Sequence, residues 1–167
     1  MESIFFIVVA AVAVISSLMV VTCKNPINSA LSLVMTFFCL ATFYVMLDAP
    51  FMAVTQVIVY AGAIMVLIVF VIMLLNVRTE TVKRSSHAVL AGGAIGLFTL
   101  FQTCWFLING SASGQTGTMT PEVINQVGHI ELIGQALFTQ FLYPFEITSL
   151  LLLAAIVGAV ILAKKKI

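Results

Sequence analysis

The chain has 167 residues, 62% of them apolar and 8% charged, with a formal net charge of +1. A water-facing domain carries about 25% charge, so the main solvent of this chain is not water, and the near-neutral balance gives no footing for nucleic acid or an acidic substrate. Cys23, Cys39 and Cys104 form no CxxC pair and have no histidine at metal-ligand spacing, which predicts free thiols and no haem, zinc or iron–sulfur site.

Apolar runs of about 20 residues are long enough to cross a ~30 Å hydrocarbon core as helices. The sequence predicts an all-α integral membrane protein with five such spans in a single membrane domain, 1–167. Met1-Glu2-Ser3 is acidic where a secretory leader is basic, so the first run, 3–21, is expected to remain as a helix. It stops at Lys24-Asn25-Pro26, where helix continuation is disfavoured. The second span is 27–47, and Asp48-Ala49-Pro50 returns the chain tightly into the third, 51–75. A polar connection, NVRTETVKRSSH, precedes the fourth span, 88–108, whose Gly92, Gly93 and Gly96 permit close helix contact. The fifth is 145–163, ending in Lys164, Lys165 and Lys166.

Between the last two spans lies a long connection, 109–144. Thr120-Pro121-Glu122 reads as a helix start with a capping threonine and proline at the first helical position. From His129 to Leu142 the residues Ile130, Ile133, Leu137, Phe138 and Phe141 recur at helical spacing, opposite Glu131, Gln135 and Thr139. This predicts a short amphipathic helix, too short to span, lying on the membrane surface or on a neighbouring subunit.

With five spans, Lys24, then Arg78, Lys83 and Arg84, then Lys164 to Lys166 all fall on one side of the membrane, and no basic residue falls on the other. Basic residues are retained on the cytoplasmic side, so the N-terminus is expected outside and the C-terminus in the cytoplasm, matrix or stroma. The long connection is then an outer loop.

None of the spans holds a Lys, Arg, Asp, Glu or His near its middle. Proton relays need ionisable groups inside the bilayer, so the chain alone is no carboxylate-relay pump, and it contains neither a nucleophile triad nor a phosphate loop. Attention falls on the third span, where Thr55, Gln56 and Tyr60 introduce polar groups and Ala61-Gly62-Ala63 removes large side chains for nearly one turn. Tyr60 lies roughly 13 Å along the axis from Phe51, near mid-bilayer. Such a collar admits either close packing or backbone irregularity, and Tyr60 reads equally as a phenol bonded to a neighbouring helix. Glu146, after Pro144, reads as a carboxylate at the positive end of the fifth helix.

VIVYAGAIMVLIVFVIMLLN in this span, NPINSALSLV at the first turn and PFEITSLLLLAAIVGAVILAKKK at the C-terminus resemble the family of subunit J of bacterial respiratory complex I, called subunit 6 in mitochondria. The resemblance implies a cofactor-free, non-catalytic membrane-arm subunit of a proton-translocating NADH:quinone oxidoreductase. FMN, iron–sulfur clusters and quinone would belong to partner subunits, and the location would be the cell inner membrane or an organelle inner membrane. It also implies a third helix that can carry a π-bulge, forming or relaxing between enzyme states, with its relaxation opening or closing a water path; whether the helix is straight or bulged here is not fixed by the sequence. That region maps onto Tyr60 to Phe70, with Tyr60, Gly62 and Val66 in matching positions, and Gln56, Ala61, Ala63 and Phe70 complete the candidate gating set. Some members carry Glu where Gln56 stands, and no titrating role transfers to an amide. The competing reading is a membrane subunit of a related multisubunit cation/proton antiporter.

Overall fold

A computed structural model describes residues 1–75, 86–110, 124 and 127–164, with backbone alone for 86–91. The basic cluster Arg78, Lys83 and Arg84, the helix start at Thr120-Pro121-Glu122, and Lys165 and Lys166 lie outside the described residues. The described residues include α1 (Glu2–Thr22), α2 (Pro26–Met46), α3 (Pro50–Leu75), α4 (Ser86–Asn109), α5 (His129–Thr139) and α6 (Leu142–Ala163). Five of these are long and apolar enough to cross a membrane, one in each predicted span.

Local chemistry sets the helix ends. The Asn25 side chain accepts a hydrogen bond from the Ile27 N–H at 2.9 Å, capping α2, and Pro26 occupies its first position, where no intrahelical N–H is required. The Ser29 hydroxyl donates to the Val20 carbonyl, tying the first turn of α2 to the last turns of α1. At the α2–α3 return Asp48 takes the left-handed conformation, φ 54°, which a short polar side chain tolerates better than a branched one.

Helices α1 and α2, α3 from Met52 onward, and α4 fall in one unit, whose core is narrow. On α1 Ser16 is buried, and on α2 Ala30, Ser32, Cys39 and Ala41. The Ser16 and Thr36 hydroxyls lie 3.0 Å apart across the α1–α2 seam. Each also stands within donating distance of a carbonyl of its own helix, Ser16 of Ala13 at 3.1 Å and Thr36 of Ser32 at 3.0 Å, so with one proton apiece the bond across the seam forms in place of one of these two. Phe6 and Phe43 pack at 5.5 Å between ring centroids nearer the α2–α3 turn. Small residues and hydroxyls at the seam are expected where lipid tails remove the hydrophobic drive and close packing must supply the attraction. In contrast, the membrane-length part of α4, Gly92–Asn109, buries none of its residues, and a Cβ added at Gly92, Gly93 or Gly96 would meet nothing within 4 Å.

The second unit pairs α5 with α6 through Phe138 and Phe145, edge to face at 5.1 Å. The predicted stripe from His129 to Leu142 is not one helix. It breaks at Gln140 and Phe141, because in a continuous helix the Pro144 ring would strike the Gln140 carbonyl. The new helix starts at Leu142 and takes Pro144 in its first turn, where a missing N–H costs nothing. Glu146 therefore sits in the second turn, and the capping role expected for it is corrected: α6 has no acidic residue in its first turn and no side-chain cap.

Candidate switch segment in the third helix

Helix α3 is not α-helical throughout. Pro50–Thr55 and Met65–Leu75 are α-helical, and the nine residues between them, Gln56–Ile64, form a π-helix. At its end the Met65 N–H donates to the Tyr60 carbonyl, five residues back. A π segment is rare and is tolerated where tertiary contacts hold it. Here those contacts come from a line of buried residues, Ala53, Gln56, Ala61 and Met65, at steps of three, five and four. Steps of three and four follow an α-helix face. The five-residue step straddles the wide turn, so the π segment carries one face across a stretch that an α-helix would rotate away. Met65, 1% exposed, is the most fully buried large side chain among the described residues.

The predicted site residues divide along this geometry. Gln56 opens the π segment and is buried, 8% exposed, and Ala61 is buried beside it on the same line. Tyr60 is 46% exposed on the single chain, with its ring edge-on to Phe37 of α2 at 6.0 Å. Gly62 and Ala63 are exposed within the segment. A Cβ built on Gly62 would stand 3.2 Å from the Val57 carbonyl oxygen, five residues back. That oxygen is backbone and has little freedom to yield, so glycine suits this turn for a steric reason as well as for its flexibility. Val66 and Phe70 lie beyond the segment, in regular α-helix, and are exposed. The observed π segment overlaps the expected bulge region from Tyr60 to Ile64 and otherwise begins four residues earlier. Met65 and Phe37 carried no signal in the sequence, since each is one apolar residue among many.

Among the described residues no three His, Cys, Asp or Glu side chains converge as a metal site. The chemistry open to the segment is hydrogen bonding and backbone rearrangement.

Residues 16–162 match the sequence profile of NADH-ubiquinone/plastoquinone oxidoreductase chain 6. The chain belongs to this family. Its relatives include the chloroplastic NAD(P)H-quinone oxidoreductase subunit 6 of Staurastrum punctulatum, 42% identical over 84% of this chain and 78% of the relative. The NADH-quinone oxidoreductase subunit J of Rhodobacter capsulatus is 34% identical over 94% of this chain and 79% of its own length. The F(420)H(2) dehydrogenase subunit J of Methanosarcina mazei is 35% identical over 98% and 92%. As a chain 6 protein with five membrane-length apolar helices, it is a multi-pass inner-membrane subunit of complex I or a related translocase.

Proposed function

We propose that this subunit helps couple quinone reduction to proton translocation by switching its third helix between π and α registers beside a water path. The nine-residue π segment at mid-span carries this reading. If the N-terminal half of α3 stays in place while the segment tightens to α, every later position advances by one residue, about 100° around the axis. Tyr60 and Ile64 then take the places of Ala61 and Met65 on the buried line. A phenol replaces a methyl against α2 and a neighbouring cavity opens or closes, without any titrating group in the helix. A wide turn leaves carbonyls poorly paired, an expense in hydrocarbon unless protein or water satisfies them, so the segment belongs against other subunits of the membrane arm and a water chain.

FMN, iron–sulfur clusters and the quinone site are assigned to partner subunits. The Methanosarcina relative is named for a donor other than NADH, which fits a membrane subunit indifferent to where electrons enter. The N-terminus lies outside and the C-terminus inside, with α5 amphipathic on the outer surface. Cysteines at Ser85 and Ser113, in a background free of native thiols, then label from opposite sides.

The switch itself is tested in the intact complex by single cysteines at Ile64 and Met65 and a membrane-permeant thiol reagent. In the resting enzyme Met65→Cys is protected. During turnover the protection passes in part to Ile64→Cys. Identical labelling of both positions at rest and in turnover would remove the switch. Flavin and iron–sulfur absorbance co-purifying with the chain separates complex I from an antiporter assembly.

A further inference from the structure

Three polar residues are buried among the described residues, Ser16, Ser32 and Gln56. The two serines stand within donating distance of a carbonyl of their own helix, at 3.1 Å for Ser16 and 2.8 Å for Ser32. Gln56 differs. Its side chain carries two donors and an acceptor, yet it makes no hydrogen bond with another described residue. Every side-chain nitrogen or oxygen of these buried residues that is fully sealed from the surface has a partner, so the unpaired Gln56 amide still opens to the outside of the chain. The opening is narrow, because the whole residue keeps only 8% of its exposure. Gln56 begins the π segment, roughly 9 Å along the α3 axis from Pro50 and inside the hydrocarbon span. Its neighbours on the buried line, Ala53 and Ala61, offer only methyl groups beside it.

We infer that Gln56 holds one ordered water molecule where α3 meets a neighbouring subunit of the membrane arm. An amide buried without a partner is costly, and a lipid tail offers it none. A neighbouring side chain would have to enter an opening that is nine-tenths closed before the neighbour arrives. Water is small enough to enter, and it both donates and accepts, so it serves either end of the amide. A buried water is held by two or more polar groups, so the facing subunit completes the site with a hydroxyl, amide, carboxyl or backbone carbonyl group. An amide does not titrate, which makes Gln56 a fixed post for water and not a proton-transferring group. The site rests on the proposed function only in having other subunits beside α3. It needs no switching, since the turns up to Gln56 stay in place in both registers.

Electron cryomicroscopy of the intact complex at rest, at a resolution that shows ordered water, tests the site. The expected result is an isolated density within about 3.2 Å of the Gln56 amide, belonging to no protein atom. It is lost in Gln56→Leu, which keeps the bulk and removes the polar atoms, and it is kept in Gln56→Glu, which retains oxygens in the same shape. Three results overturn the site: a neighbouring side chain bonded directly to the amide, hydrocarbon alone against it, or a density that persists in Gln56→Leu. Where Gln56→Leu does not assemble, the unaltered complex still decides through the first two. Absence of the water with the Ile64 and Met65 exchange intact leaves the switch standing, and a bound water with unchanged labelling at those positions removes the switch alone.

Discussion

Helices α3 and α6 are both membrane-length apolar rods, yet α3 buries Ala53, Gln56, Ala61 and Met65 along one line while α6 buries no residue. Among the described helices only α3 changes its backbone register at mid-span. The difference lies in side-chain size and polarity within the span. Gln56, Tyr60 and the Ala61-Gly62-Ala63 collar give α3 a face that close packing can select, whereas Leu150 to Leu153 and their neighbours clothe α6 almost evenly. A helix that is apolar all round has its rotation fixed only by what surrounds it. An uneven helix fixes its own face, and here that face is continuous only because of a π turn.

The sharpest way to break this contrast is one substitution in each helix. Gly62→Leu drives a side chain against the Val57 carbonyl, whereas a Cβ at Gly158 of α6 meets nothing within 4 Å. Quinone-coupled proton transport falls about ten-fold in Gly62→Leu, some 1.4 kcal/mol of barrier, while electron transfer to an artificial acceptor is kept. Gly158→Leu stays within about two-fold, in line with substitutions away from packed features. Equal losses in the two variants would make the collar an ordinary packing surface.

Next in size is Met65→Ala. Its loss costs the assembled subunit about 2 kcal/mol, the low end of the range for emptying a core position, because lipid supplies no hydrophobic transfer term to lose. Leu152→Ala in α6, at a position 63% exposed on the single chain, costs less than about 0.5 kcal/mol. Unfolding in mixed micelles compares the two. Tyr60→Phe removes only the hydroxyl and keeps the ring on Phe37, so coupled turnover falls about two-fold, which steady-state quinone reduction measures. Smallest is the α1–α2 seam, where a double-mutant cycle on Ser16→Ala and Thr36→Val returns a coupling of about 0.6 kcal/mol, typical of hydroxyl pairs between membrane helices.

Span number and approximate limits were legible because the bilayer imposes a single length criterion on apolar runs. The start of α6 was not, since Pro144 reads as a boundary but fits inside a first turn. That three-residue shift moves Glu146 from cap to second turn. The candidate segment was legible through Tyr60 and Gly62, yet its start at Gln56 was not. Glycine marks where a side chain would press on the backbone, five residues after the carbonyl it would press, and says little about where the wide turn opens. Met65 was hidden for a more general reason. In water a buried methionine stands out from a polar surface, but among lipid-facing Val, Leu and Ile an apolar residue carries no mark of burial. The Ser16–Thr36 pair depends on the relative height of two helices, which neither sequence segment specifies alone.

The bare glycines of α4 have a consequence for how the subunit is made. With Gly92, Gly93 and Gly96 open and none of its membrane-length part buried, α4 would enter the bilayer with a small-residue face that the described residues of its own chain do not cover. Small residues let a second helix bring its backbone close, so this face can receive a neighbour without displacing any contact the described chain makes at those glycines.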